Sequence, residues 1–215
     1  QIPGTTWINI SQNAARPAYH SLATKTDGTL WSWGANQNGE LGLNTRTAWI
    51  NGISSPTQVG SDTTWSKNAN TYKLSVSGGY FSSAIKTDGT LFTWGRNHNG
   101  QLGQSNLTDY SSPVQIPGTT WLSINGGEAA MSATKTDGTL WSWGYNVQGQ
   151  LGHNQNGPGA SYSSPTQIPG TTWSQNGQGI YAIYGIKTDG TLWAVGSNVS
   201  GQLGQNSRTY YSSPV

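Results

Sequence analysis

The sequence predicts an all-β fold, a β-propeller of successive blades around an axis, and three observations carry that prediction. The string Lys-Thr-Asp-Gly-Thr-Leu occurs four times, at Lys25–Leu30, Lys86–Leu91, Lys135–Leu140 and Lys187–Leu192. Each copy opens an aromatic-rich run that alternates with a period of two, as a strand buried on both faces does. No segment sustains a 3.6-residue apolar period with caps, so helix content should be near zero. The copies are spaced by 61, 49 and 52 residues, and a unit of that size made of short strands cannot bury its own faces. Such units stack into a propeller or a solenoid, and the Trp-rich strand with its glycine-marked exit favours blades.

The elements of a unit follow in order. Gln-Ile-Pro-Gly-Thr-Thr-Trp opens it at Gln1, Gln115 and Gln167, degraded to Gln58–Trp65 in the second unit, which also carries an insertion around Lys67–Lys73. A β-rich run ending Ala23-Thr-Lys25 meets Thr26-Asp-Gly28 and returns as Thr29–Trp33. This is a three-residue hairpin connection, a type I turn closed by a left-handed glycine that forms a bulge. Asp favours the turn, and Gly takes positive φ without steric cost. In the returning strand Trp31 and Trp33 share one face and Leu30 and Ser32 the other. Gly34 and its equivalents let the chain leave the strand. Asn-x-x-Gly-x-Leu-Gly follows at Asn36–Gly42, Asn97–Gly103, Asn146–Gly152 and Asn198–Gly204. A variable stretch then leads to Ser-Ser-Pro at Ser54–Pro56, Ser111–Pro113, Ser163–Pro165 and Ser212–Pro214. Pro3, Pro56, Pro113 and Pro165 are expected between units, where no ladder hydrogen bond is needed. The units run approximately 1–57, 58–114, 115–166 and 167–215, as a single array.

Composition narrows the function. Only 8% of residues are charged and 33% hydrophobic, against about 25% and 45–50% in ordinary domains. The apolar content is concentrated in rings, 11% of the chain, each able to bury about 150–250 Å². A net charge of +2 from 10 basic and 8 acidic residues is no basic stripe for nucleic acid. No apolar run approaches the ~20 residues of a membrane span. The absence of Cys excludes disulfides and thiolate chemistry. His20, His98 and His153 fall at different positions of different units, without the spacing of a metal triad. There is no phosphate-binding loop, no dinucleotide fingerprint, no calcium ladder and no Gly-x-Ser-x-Gly elbow. The chain therefore reads as a non-enzyme with no cofactor and no metal site. The repeated Lys and Asp of the hairpin read as turn chemistry rather than as acid and base. The periodic Trp rows read as blade-to-blade core rather than as stacking platforms for bases or sugars.

The run His20-Ser-Leu-Ala-Thr-Lys-Thr-Asp-Gly-Thr-Leu-Trp-Ser-Trp-Gly34-Ala-Asn36-Gln-Asn-Gly39-Glu-Leu-Gly42 resembles the regulator of chromosome condensation repeat, and all four copies fit over most of their length. The resemblance implies four-stranded blades, normally seven to a ring. Four are present here, so the array reads as a window on a longer one. A true four-bladed ring and a ring completed by self-association with another copy are the alternatives. The family's His stands at His20, with Ser82 and Met131 or Tyr184 in the matching slots. Its Gly-Gly survives as Gly78-Gly79 and Gly126-Gly127. The founding member exchanges nucleotide on a small GTPase, but no inserted exchange hairpin or basic arm is present here.

On a repeated scaffold, function is expected where the units differ. The stretches before Ser-Ser-Pro, 43–53, 104–110, 153–162 and 205–211, hold Tyr and Arg among Asn, Ser and Gly, a vocabulary of adaptable binding loops. Arg46, Trp49, Asp109, Arg208 and Tyr210 are the candidate binding residues. Tyr110, Tyr162 and Tyr211 share one slot and read as packing. A second variable region, including 128–131 and 178–184, is a candidate for another rim. The expected function is recognition of a protein partner through these loops, with no nucleic acid and no membrane span. A glycan-binding adhesin on an extracellular, cell or virion surface is the alternative, and an exchange factor follows from family analogy alone.

Overall fold

The structure, a computed structural model, describes residues 2–13, 19–48, 51–66, 74–77 and 80–215. Trp49, the insertion at 67–73 and the Gly78-Gly79 pair lie outside the described residues. Among the described residues there are strands and turns and no helix. The first unit supplies β1 (Trp7–Ile10), β2 (Gln12–Asn13), β3 (His20–Lys25), β4 (Leu30–Gly34) and β5 (Ile53–Gln58). Strands β1, β3, β4 and β5 form an antiparallel sheet in chain order. The second blade is β6 (Leu74–Ser77), β7 (Phe81–Ile85), β8 (Leu91–Gly95) and β9 (Tyr110–Ile116), with β2 added in parallel beside β6. The third is β10 (Trp121–Gly126), β11 (Ala130–Lys135), β12 (Leu140–Gly144) and β13 (Tyr162–Ile168). The fourth has β14 (Trp173–Gln178), β15 (Ala182–Lys187) and β16 (Leu192–Gly196). Beside β16, Tyr211 bridges Gly196 and Val215 exchanges two hydrogen bonds with Ala194, where the other blades have a fourth strand.

The hairpin forms as its residues dictate. The Gly28 N–H donates to the Lys25 carbonyl at 2.9 Å, the Lys25 N–H to the Thr29 carbonyl at 3.1 Å, and Gly28 sits at φ 84°. Its counterparts Gly89, Gly138 and Gly190 also have positive φ. The prolines are placed differently from the expectation. Pro56, Pro113 and Pro165 lie inside β5, β9 and β13, which run across the point where the repeat restarts. These are edge strands, and the register against β4, β8 and β12 shifts there. An edge strand needs no N–H from every residue, so proline is tolerated.

The core lies between blades rather than within them. Leu22 and Leu30 of the first blade pack with Trp65, Ala84 and Trp94 of the second unit. Leu91 and Ile116 pack with Trp121, Met131 and Trp143. Leu140 and Ile168 pack with Trp173, Ile183 and Val195. One side of β8 and of β12 thus presents Leu to the following blade, and the other presents an aromatic to the preceding one. The indole N–H of Trp94 donates to the Glu40 carbonyl at 2.9 Å, and that of Trp143 to the Gln101 carbonyl at 3.0 Å. Each joint is therefore both packed and hydrogen-bonded; at the last one Val195 brings no donor, and the Asn176 amide donates to the Ser132 carbonyl at 3.0 Å instead.

Both end faces of the array are open. Leu192 is 66% exposed, whereas Leu30, Leu91 and Leu140 in the same slot are at most 2% exposed. At the other end Ile2, Ile8, Ile10 and Trp33 line an apolar groove of ≈ 370 Å³.

Candidate binding surface

The invariant motifs are accounted for by structural bonds. In the hairpin, Asp27 Oδ1 accepts the Thr29 N–H and hydroxyl at 2.9 and 2.7 Å, and Thr29 Oγ1 accepts the Trp31 indole N–H at 2.7 Å. Asp137, Thr139 and Trp141 repeat the relay, as do Asp189, Thr191 and Trp193. In the second unit Phe92 has no N–H to give, and only the Asp88–Thr90 bonds remain. The Thr hydroxyl and N–H bonds hold the carboxyls of Asp88, Asp137 and Asp189 below the ordinary Asp value.

The expectation that Asp serves the turn holds, but the lysines take another role. Each ammonium lies over two rings: Lys25 over Trp7 and Trp31 at 4.7 and 3.7 Å, Lys135 over Trp121 and Trp141 at 4.5 and 4.2 Å. Lys187 repeats this with Trp173 and Trp193, and Lys86 with Trp65 and Phe92. The rings meet edge to face, with Trp121 6.1 Å from Trp141 and 6.0 Å from Trp143. Cation–ring attraction, not an ion pair with the Asp of the same hairpin, fixes these side chains, and Lys86 alone adds a bond to the Asp62 carboxylate among the described residues.

The second motif is a clip. Asn36 Oδ1 accepts the Leu41 N–H at 3.1 Å while its amide donates to the Thr45 carbonyl at 3.0 Å. Asn97 joins Leu102 to Asn106, Asn146 joins Leu151 to Gln155, and Asn198 joins Leu203 to Ser207. These asparagines are buried, so each loop is tied to the blade body. The Gly of the motif is required by contact. A Cβ on Gly39, Gly100 or Gly149 would come within 2.9 Å of the Ser111, Ser163 or Ser212 backbone, which packs there from the next unit.

The residue after each clipped carbonyl is exposed in every unit and is of three types among the four: Arg46, Leu107, Asn156 and Arg208. Leu107 is 60% exposed, a large apolar side chain held in solvent by a pinned backbone. The structure brings Arg46 and Asp109 together across two units. Arg46 Nη1 lies 3.7 Å from Asp109 Oδ2, and Nη2 donates to the Asp109 carbonyl at 3.3 Å. Asp109 also accepts the Asn97 N–H at 2.7 Å and lies 3.5 Å from His98 Nε2. Arg96 donates to His98 Nδ1 at 3.1 Å and stacks over Tyr80. With Nδ1 accepting, the neutral His98 carries its proton on Nε2, toward Asp109. Arg208 and the exposed Tyr210 stand on the corresponding loop of the fourth unit, apart from this cluster, and Trp49 lies outside the described residues.

Sequence reasoning missed Arg96, His98 and Leu107. The signal was present. The slot of Arg96 holds Ala35, Tyr145 and Ser197 elsewhere, and that of His98 holds Gln37, Val147 and Val199. The second variable region does join neighbouring blades, since the Tyr181 hydroxyl donates to Glu128 Oε2 at 2.6 Å.

The slot assigned to His20 is corrected by one residue at Ser82 and Met131 and by two at Tyr184. His20 pairs with Gly34, and the residues opposite Gly95, Gly144 and Gly196 are Phe81, Ala130 and Ala182. Ser82 is instead equivalent to Ser21, yet it does touch His20, at 2.7 Å from Nε2 across the blade joint. This buried Ser–His contact is not a nucleophile and its base. The Ser82 hydroxyl donates to the Glu40 carbonyl at 2.8 Å, so its only proton points away from the imidazole.

Against known proteins, the regulator of chromosome condensation (RCC1) repeat matches residues 27–85, 88–128 and 137–175. The human probable E3 ubiquitin-protein ligase HERC3 is 34% identical over 98 residues, 46% of this chain and 9% of that protein. Mouse protein RCC2 is 34% identical over 100 residues, 46% of this chain and 18% of that protein. Among solved structures, human WBSCR16 superposes with a TM-score of 0.75 at 24% identity, covering 97% of this chain and 52% of that one. Prp20p from Saccharomyces cerevisiae superposes at 0.79 with 17% identity, covering all of this chain and 51% of that one. The chain thus spans about half the length of these structures and a smaller part of the curated relatives. Four in-register copies of its hairpin, clip and Ser-Ser-Pro, folded as the joined blades of a β-propeller, belong to the RCC1 repeat family.

Proposed function

We propose that this chain is a non-enzymatic binding module that recognises a protein partner through the loops after its third strands. The observation that carries this reading is the slot shared by Arg46, Leu107, Asn156 and Arg208, exposed in all four units and varied against a frame that repeats almost unchanged. Side chains pinned by a buried Asn clip lose little backbone entropy on docking, which favours affinity. Beside the first two slots, Asp109 and Arg96 add charge that would set approach and register, and His98 adds a hydrogen-bonding ring. The Prp20p structure is described with its binding properties to Gsp1p and histones, and yeast RCC1 (Prp20) was solved bound to Kap60, so a protein that shares this fold binds other proteins. The test is capture of a partner on the immobilised chain, followed by affinity measurement with Arg46→Ala, Leu107→Ala and Arg208→Ala combined. Loss of binding by more than tenfold is expected, with Thr5→Ala unchanged as a control. Unchanged affinity in the triple variant, or a glycan array that responds while no protein binds, would overturn it. Acceleration of nucleotide release from a small GTPase would move the activity to the exchange class instead.

The exposed Leu192 and the groove at Trp33 favour a second reading, that both end faces accept further blades of the same kind. The internal joints bury the same slots, so the complementary surfaces already exist on this chain. A solution mass of one copy that is insensitive to Leu192→Glu would argue against closure by a second copy.

A further inference from the structure

The aromatic–lysine stacks differ in one respect that points to a ligand. Counting three residues back from the first Trp of each unit gives Gly4, Asp62, Gly118 and Gly170. In the second unit the Asp62 carboxylate bonds the Lys86 ammonium. Partial burial opposes ionisation there, but hydrogen bonds from Lys86 and Thr64 bring the carboxyl down to about 2. In the third and fourth units the carboxylate is missing while the donors remain. The point where a Cβ of Gly118 would stand is 3.5 Å from Trp121 Nε1 and 3.9 Å from Lys135 Nζ. Apart from the glycine's own chain neighbours, no other described atom lies within 4 Å of it. Beside Gly170 the same point is 3.7 Å from Trp173 Nε1 and 3.9 Å from Lys187 Nζ. The indole N–H groups of Trp121 and Trp173, like that of Trp65, are buried and have no hydrogen-bond acceptor, so what the third and fourth units lack beside the second is the carboxylate on the ammonium. Among the described residues neither Lys135 nor Lys187 has a carboxylate within 4.0 Å.

A buried N–H without an acceptor is costly, and an ammonium beside it makes the spot strongly favourable for an anion with two oxygens. The fourth-unit spot opens into a cavity of ≈ 430 Å³ lined by Trp173, Lys187, Trp193, His153 and Asn154. Burial holds His153 below the usual His value, so the cation there near neutral pH is Lys187. We propose that Gly118–Trp121–Lys135 and Gly170–Trp173–Lys187 are two carboxylate-binding sites, each receiving from outside the group that Asp62 supplies internally to Lys86. The carboxylate would accept from the indole N–H through one oxygen and from the ammonium through the other. This proposal does not depend on the loop surface described above.

The indole N–H signals of the ¹⁵N-labelled chain report on the sites directly. Titration with sodium acetate is expected to shift the Trp121 and Trp173 signals saturably within about 50 mM, as two donors to one carboxylate imply. Trp94 and Trp143, whose N–H groups already bond carbonyls, should stay still and serve as the record of an intact fold. Lys135→Gln should abolish the response at Trp121 alone, and Lys187→Gln that at Trp173 alone. A capped Glu peptide that binds more tightly than acetate assigns the sites to acidic side chains of a partner, and the reverse order assigns them to small acids. Equal shifts with sodium chloride at matched ionic strength, or no saturation in either lysine-intact site, would overturn the proposal.

Discussion

Replacing Glu40 by glutamine should stabilise the protein, and the effect should depend on pH in a defined direction. Glu40 is fully buried in the slot that holds Gln101, Gln150 and Gln202 in the other units. Its Oε2 accepts the Asn38 N–H at 2.6 Å, the bond that Gln101 and Gln150 make to Asn99 and Gln148 at 2.8 and 3.0 Å. The other oxygen, Oε1, is buried without a partner. Burial raises the Glu40 pKa above 4.5, against the smaller opposing effect of the backbone bonds. A raised acid favours folding in its neutral form: the contribution is complete below the unfolded pKa and is lost as pH rises through the folded one. At pH 8 the folded chain therefore holds a carboxylate that is underbonded, a cost of about 1–3 kcal/mol. Glutamine keeps the Asn38 bond and carries no charge, although its amide finds no partner at Ala35 where Ser197 serves Gln202 at 3.4 Å. A gain of about 1–2 kcal/mol is left, or roughly 2–8 °C in Tm for a chain of this size. Thermal melts of both proteins at pH 8 and pH 4 measure it, the gap closing at the lower pH. Adding Ala35→Ser should extend the gain, and Gln101→Glu should reproduce the penalty one blade along. A Glu40→Gln variant that is less stable at pH 8, or a gain equal at both pH values, would refute this reasoning.

Three further outcomes follow from the same geometry. Asp62→Asn removes a carboxyl whose pKa is lowered to about 2 by Lys86 and Thr64 despite partial burial; its stabilisation is present above the unfolded value of 3.8 and fades as pH falls toward 2, so urea melts of variant and parent should differ at pH 7 and converge in acid. Gly100→Ala places a Cβ 2.6 Å from the Ser163 backbone at φ 76°, whereas Gly201→Ala meets nothing within 4 Å at φ 77°; both lose about 1–2 kcal/mol to the left-handed backbone, and the excess loss in Gly100→Ala, read from denaturant midpoints, measures the clash between blades. Trp143→Val copies Val195 into the third blade and should cost about 3–5 kcal/mol, because a fully buried ring and its bond to Gln101 are lost together.

What was legible in the sequence is what a single unit determines. Asp27 and Gly28 specify their turn through local bonds and φ, and four copies make the period unmistakable. What was not legible depends on how one unit sits on the next. The partner of Lys25 is Trp7, reached only when β1 and β3 pair with a shifted register. Arg46 meets Asp109 across 63 residues, a contact set by the stacking of blades rather than by any local pattern. The error at His20 came from matching a His-Ser pair by type. Counting back from Lys25 and Lys86, which the hairpin holds fixed, places His20 with Phe81. Composition also concealed the division of labour among cations, because a lysine over two rings and a lysine on a solvated face look alike as letters.

The clip offers a way to separate surface chemistry from presentation. Asn97 holds the backbone before Leu107 through one bond at each end, to the Leu102 N–H at 2.9 Å and the Asn106 carbonyl at 2.9 Å. Asn97→Ala removes both bonds, together with a third to Asn106 Oδ1 at 3.2 Å, and leaves Arg46, Leu107 and Asp109 chemically untouched. The loss of these bonds should cost about 1–3 kcal/mol locally, enough to populate open loop states. Amide exchange at Leu102 and Thr108 should accelerate while exchange in β11 stays slow. If recognition depends on a pinned slot, partner affinity falls with the loop's protection, since the partner must then order the loop itself. Affinity that survives while exchange accelerates would mean that the side chains suffice and the rigid clip serves folding alone.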